Sequence, residues 1–101
     1  MLTVVNHPLV AHRIAVLRNE NTPSPVFRKA VSEIAALLAY EASSDLHVDP
    51  VTVRTPTGMD APGVVLKAPG PLLVPILRAG LGLLDGFLSM LPEAEVGMIG
   101  L

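Results

Sequence analysis

The sequence contains no cysteine and no tryptophan. The first absence excludes disulfides, thiolate nucleophiles and cysteine-based metal sites, and it fits a reducing compartment. Aromatic residues are reduced to Phe27, Tyr40 and Phe87, so any core has to be aliphatic. Charge is sparse at 16%, with seven basic residues against nine acidic and a net charge of -2. That balance leaves no basic surface large enough to hold a nucleic acid backbone. No stretch reaches the roughly 18 uncharged apolar residues that span a bilayer. The best one, Ala68 to Leu77, is broken by Pro69, Pro71 and Pro75 and stopped by Arg78. The first residues have no basic region and no long apolar run, so they do not form a secretory signal. The expectation is a cytoplasmic protein without nucleic acid or membrane partners.

Half of the 101 residues are hydrophobic. That suffices for one small domain and excludes disorder over most of the chain. The chain closes on an apolar run, Val96 to Leu101, with no polar cap after it. The expectation is a chain cut in mid-element. Such an open edge invites aggregation unless a partner covers it.

Leu2 to Val5 is a short β-prone run. His7-Pro8 then opens a helix, because proline suits the first helical turn. Leu9, Ile14 and Leu17 give it a broken apolar face, and Asn19 to Pro23 closes it. Ser24-Pro25 starts a stronger helix, with Ser24 as the N-cap. Phe27, Ala30, Val31, Ile34, Leu37 and Leu38 follow at three- and four-residue steps and form a wide stripe. Val51 to Thr55 alternates like a strand. The stretch from Pro56 to Gly63 is rich in turn residues, and Val64 to Lys67 reads as the return strand of a hairpin. Leu72 to Leu77 is a continuous apolar run of the kind buried on both faces of a parallel sheet, with Pro75 as a bulge or an edge. Leu83 to Leu91 is a short helix ended by Pro92, and Val96 to Leu101 is a second β-leaning run. Strand, tight loop, helix and strand make a βαβ unit.

The segment Arg78-Ala79-Gly80-Leu81-Gly82 lies where α/β proteins place ligands, beyond a strand's carboxyl end and at a helix start. Gly80 and Gly82 would let the backbone approach an anion closely. The helix start adds unpaired N–H groups. Arg78 adds a fork that grips phosphate oxygens. It is the only charge between Lys67 and Asp85. The plainer alternative is a strand-end cation paired with a carboxylate, beside ordinary turn glycines. The pattern is neither a dinucleotide fingerprint, since Asp85 stands where a third glycine would fall, nor a Walker loop.

Several segments resemble one family in order along the chain. Val74-Pro75-Ile76-Leu77-Arg78-Ala79-Gly80-Leu81-Gly82-Leu83-Leu84-Asp85-Gly86 resembles the V-P-I-L-R-A-G-L-G-x-x-D-G stretch of uracil phosphoribosyltransferases. Val5-Asn6-His7-Pro8-Leu9-Val10 is similar to their V-x-H-P-L-V opening. Phe27-Arg28 and Leu37 to Ala42 resemble F-R and L-L-x-Y-E-A. Leu91 to Gly100 resembles L-P-x-A-x-V-G-x-I-G.

The resemblance implies an α/β fold: a helical arm over residues 1–46, a hairpin over 47–70 and a first βαβ unit over 71–101. Together these form the N-terminal part of a single, incomplete phosphoribosyltransferase-like (Rossmann-like) domain. It implies an enzyme converting uracil and phosphoribosyl diphosphate to UMP and diphosphate in pyrimidine salvage. Magnesium is the implied cofactor, with its ligands outside this chain. Arg78, Ala79 and Gly80 are the implied diphosphate-binding residues, with a non-proline cis peptide between Arg78 and Ala79. A homo-oligomer and a GTP effector are also implied. The family is about twice as long, and the acidic glycine-rich ribose-phosphate loop and the uracil-recognition segment are missing here. The alternative is therefore a non-catalytic fragment with a structural or oligomerisation role. A regulator with the same fold is disfavoured by the charge.

Other residues read as structural. His7 is a helix-start residue, and His7 and His12 are wrongly spaced for a metal pair. Asp45, Asp49 and Asp60 fall in loop-like stretches; His47, with His7 and His12, is a candidate to titrate near neutrality. Asp85 caps or pairs locally, and Glu41 pairs with an arginine of the first helix. Arg13, Arg18 and Arg28 form a modest basic cluster suited to oligomer or effector contacts. Phe27, Ile34 and Leu38 belong to a core or dimer interface.

Overall fold

The computed structural model describes residues 2–78 and 80–100. Helix α1 spans Pro8–Arg18 and α2 spans Ser24–Ala42. Strands β1 (Val48–Arg54) and β2 (Asp60–Leu66) follow, then β3 (Leu72–Leu73) and β4 (Ile76–Leu77). Helix α3 (Leu81–Met90), β5 (Glu95–Val96) and β6 (Ile99–Gly100) complete the chain.

The helix starts are built from local chemistry. His7 has extended backbone, and its Nδ1 accepts the Leu9 N–H at 3.0 Å, so the imidazole caps α1. This satisfies one of the donors that a helix start leaves without a partner. At α2 the cap is Pro23, not Ser24. The Phe27 N–H reaches the Pro23 carbonyl at 2.9 Å, which draws Ser24 into the first turn.

The stripe on α2 is also narrower than its periodicity suggests. Ala30 and Ile34 are buried, but Phe27 is 43% exposed. The deepest residues are Ala35 and Ala39, at 0% and 1%. On α1 the buried residue is Val10, while Leu9 faces outward.

The hairpin is real and longer than its alternation shows. β1 and β2 pair antiparallel from Val48 with Leu66 to Arg54 with Asp60. Pro50 and Pro62 sit inside the strands, which hides them from a sequence reading. A two-stranded sheet tolerates them because each strand has an outer edge needing no N–H. Asp49 and Asp60 thus belong to strands, not loops. The turn is closed by Thr55 N–H to Met59 O and Gly58 N–H to Thr55 O, both 2.9 Å. Gly58 has φ +83, a conformation that glycine adopts without a Cβ penalty.

The apolar run 72–77 is not one doubly buried strand. It breaks at Val74-Pro75 into β3 and β4, and Leu72 and Ile76 are more than half or half exposed, at 59% and 50%. Each piece finds a parallel partner across α3: β3 pairs with β5 and β4 with β6. Gly97 N–H to Leu73 O (2.9 Å) and Ile99 N–H to Pro75 O (3.3 Å) carry the pairing through the break. The βαβ order therefore holds, with the first strand split at Val74-Pro75 and its partner at Gly97-Met98. Cis peptides occur at Ala68–Pro69 and Leu77–Arg78.

The two parts of the chain meet where α2 packs on α3. Gly86 is buried there, and a Cβ on it would collide with the Ser32 carbonyl oxygen and the Ala35 Cβ. The Ala36 backbone nitrogen would lie at 2.9 Å. A bidentate contact ties α1 to α2: Arg13 Nε and Nη2 donate to Glu33 Oε2 at 3.0 and 2.8 Å. Glu33, not Glu41, is thus the carboxylate that binds an arginine of α1. Glu33 faces α1, whereas Glu41 is exposed near the far end of α2. The radius of gyration is 17.2 Å. A compact chain of this length has roughly 13 Å, so the molecule is drawn out.

Gly86→Ala overpacks this helix crossing and should lower the unfolding free energy by about 1–3 kcal/mol in urea titration. Gly97→Ala, whose new methyl would lie 3.7 Å from the Val74 side chain, should change it by less than about 0.5 kcal/mol.

Candidate anion site at the start of α3

β4 ends at Leu77, Arg78 follows, and α3 begins at Leu81. The turn between them is tight. Gly80 N–H donates to Ile76 O at 2.7 Å, Leu81 N–H to Arg78 O at 3.1 Å and Leu83 N–H to Gly80 O at 3.2 Å. The chain therefore doubles back on β4 before entering the helix. Gly80 has φ -68, so the turn does not need glycine for its dihedral angles. It needs glycine for space: a Cβ would lie 2.7 Å from the Ile76 nitrogen and 2.9 Å from its carbonyl oxygen. Gly80 thus serves first to let the turn close on its own strand. Gly82 differs, since its nearest neighbour would be the Val31 side chain at 3.5 Å. It presents bare backbone at the exposed start of α3.

Arg78 is exposed. Among the described residues the ion pairs are Arg13–Glu33 and Arg54–Asp60, and neither involves Arg78. The plainer alternative of a strand-end cation already matched by a carboxylate finds no support in these pairs. The first turn of α3 carries no acidic side chain. The guanidinium and the positive end of the helix dipole are thus close in sequence and uncontested by a local carboxylate. Ala79 lies outside the described residues, and so does the Arg78–Ala79 bond where a cis peptide is expected. The non-proline cis bond that is described stands one position earlier, at Leu77–Arg78.

The other singled-out residues do not join this site. His7 is occupied as a cap. The His12 Nδ1 and Arg13 Nη1 lie 2.8 Å apart. His47, Arg18 and Arg28 are exposed elsewhere. Asp85 lies inside α3, exposed, and makes neither of the two ion pairs. No group of three or more His, Cys, Asp or Glu that could hold a metal gathers among the described residues. No helix described is long and apolar enough to cross a membrane.

Beside the loop lies an apolar cavity of about 580 Å³. Leu72, Val74 and Ile76 line it from the strands, and Leu83, Leu84 and Phe87 from α3. Sequence reasoning missed the glycine that sets α3 on α2. The available signal was Gly86 itself, a poor helix former in mid-helix that calls for a packing reason.

A parallel strand, a tight basic turn and a helix start define an α/β protein with a candidate anion site at the strand's carboxyl end. The chain matches the family model described as uracil phosphoribosyltransferase over residues 4–101. It is 55% identical over 100 residues to a uracil phosphoribosyltransferase of Kocuria rhizophila, covering 99% of this chain and 47% of that protein. It is 54% identical to one from an Arthrobacter species, covering 97% and 46%. Among solved structures it is similar to the AQ2163 protein of Aquifex aeolicus, with a TM-score of 0.87 and 36% identity over 97% of this chain and 47% of that one. The chain belongs to the uracil phosphoribosyltransferase family and corresponds to its N-terminal part. It spans about half the length of the relatives it matches.

Gly80→Ala forces backbone apart and should lower stability by about 1–3 kcal/mol. Gly82→Ala adds a good helix former whose methyl meets only the Val31 side chain at ordinary contact distance, and should be neutral or stabilising by up to about 1 kcal/mol. Thermal unfolding of both variants checks the difference.

Proposed function

We infer that the chain supplies the diphosphate-binding side of a phosphoribosyl transfer from phosphoribosyl diphosphate to uracil, forming UMP and diphosphate. In that reaction a ring nitrogen of uracil gives up its proton to solvent and bonds to the anomeric carbon. The bond from that carbon to the diphosphate oxygen breaks, and the electron pair leaves with diphosphate. Charge therefore builds on the departing group, and groups already aimed at it lower the barrier. Arg78 would hold that charge through bidentate hydrogen bonds. Ala79 and Gly80 complete the proposed loop, and the start of α3 contributes its N–H groups and dipole. The observation that carries this reading is the exposed guanidinium of Arg78 at the carboxyl end of β4, directly before a helix start that bears no acidic residue.

Magnesium belongs to the same reading, but the described residues offer no cluster of ligands for it. A cytoplasmic homo-oligomer with a GTP effector also fits the reading. Arg18, Arg28 and Lys29 are exposed cations of the helical arm available to such contacts, whereas Arg13 is committed to Glu33. A second reading is a non-catalytic piece with a structural or oligomerisation role; the chain spans about half the length of the relatives it matches.

Uracil turnover assays separate the two. The 101 residues alone should give no UMP above background. Joined to the remainder of the domain, the chain should turn over. Arg78→Ala should then lower kcat/KM for the donor about 100-fold or more, the scale seen when one pre-placed charge-stabilising group is lost. Unchanged donor kinetics in Arg78→Ala would remove the diphosphate role.

A further inference from the structure

Gly86 is the buried residue of α3. The first turn of that helix has no such anchor, since Leu81 and Leu83 are 41% and 37% exposed. Where α3 sits is therefore set at Gly86, against the Ser32 carbonyl, the Ala36 nitrogen and the Ala35 Cβ of α2. That wall does not yield. Two of its three atoms are backbone, and Ala35 is fully buried. The Arg13–Glu33 pair ties α2 in turn to α1. A methyl on Gly86 would thus be accommodated by a retreat of α3, because close-packed interiors transmit strain.

The retreat has a direct route to Arg78. Leu81 N–H donates to the Arg78 carbonyl at 3.1 Å, so Arg78 is bonded to the first residue of the helix. At the other side of the turn, Gly80 N–H is held by the Ile76 carbonyl at 2.7 Å. Gly86 lies about a turn and a half beyond Leu81, on the same rigid rod. A turn pinned to β4 and bonded to α3 has no slack, so a shift of α3 moves the Arg78 backbone. Misplacing a reacting arrangement by about 1 Å costs on the order of 100-fold in rate.

We propose that Gly86 is a positioning residue for the anion site: by letting α3 lie against the backbone of α2, it sets where Arg78 presents its guanidinium to the departing diphosphate. This inference rests on the diphosphate role of Arg78 and adds that the site is set from the helix crossing behind it.

The test uses the chain joined to the remainder of its domain. Steady-state kinetics for both substrates are measured in Gly86→Ala, Arg78→Ala and the double variant. Gly86→Ala should lower kcat/KM for the donor about tenfold, with a raised donor KM and a uracil KM unchanged within about twofold. In the Arg78→Ala background the same change should cost less than about twofold, since the group that Gly86 positions is gone. Val10→Ala is the control for stability alone. It empties buried space on α1, which packs on α2, and should change neither KM. A smaller folded fraction lowers kcat and leaves both KM values as they are, so a merely structural role for Gly86 does not give the expected pattern. Where circular dichroism shows Gly86→Ala unfolded, Ala35→Ser takes its place, because it adds one atom to the same contact from α2.

Unchanged KM values in Gly86→Ala, or the same loss in both backgrounds, overturn the positioning role and leave that of Arg78 intact. Unchanged donor kinetics in Arg78→Ala remove the diphosphate reading and this inference with it.

Discussion

One contact holds the two parts of this chain together: the close approach of α2 to α3 at Gly86. There a helix backbone takes the place that a side chain would fill, and Ser32 and Ala35 lie directly against it. The deepest residues of the protein, Ala35 and Ala39, are on this side of α2. Small residues on both helices let the backbones come close, and dispersion over many atoms then replaces the bulk of large side chains. In a chain with three aromatic residues and no cysteine, this is an economical way to fix one helix on another. The hairpin, by contrast, makes its main contacts within itself, and the strand pairs bury no side chain fully.

The contact also bears on function. Because α3 is seated by Gly86, its start is seated too, one and a half turns earlier. The turn of Arg78 to Gly80 is held between that start and β4 by the Gly80 N–H to Ile76 carbonyl bond. A loop fixed at both ends would present its guanidinium and backbone donors with little rearrangement, as the proposed role at a leaving group requires. Gly80 and Gly82 divide the labour. One lets the loop close on its own strand, and the other leaves the helix start bare.

Much of this was legible in the residues. Proline after a polar or imidazole side chain marked the start of α1, and apolar spacing marked α2. The strand, loop, helix, strand order from Leu72 onward was readable, and the run around Arg78 carried both the physical argument and the family resemblance. What escaped depended on contacts between elements. Phe27 and Leu9 fit an apolar periodicity yet are exposed: α3 approaches α2 along the alanines, and on α1, which packs on α2, it is Val10 that is buried. Pro50 and Pro62 lie inside the paired strands, where a two-stranded hairpin has outer edges that accept them. Pro75 did break its strand, and the parallel partner broke with it between Val96 and Ile99. The choice of Glu33 over Glu41 for Arg13 was set by how far along α2 the first helix lies, which no spacing rule encodes.

Native-state hydrogen exchange tests the primacy of the α2–α3 contact most directly. If that contact anchors the chain, the slowest amides should fall in residues 34–39 and 86–90, with β3 to β6 and the outer hairpin exchanging much faster. Strand amides protected as strongly as those of α2 would contradict the account, because the sheet and not the helix crossing would then carry the fold.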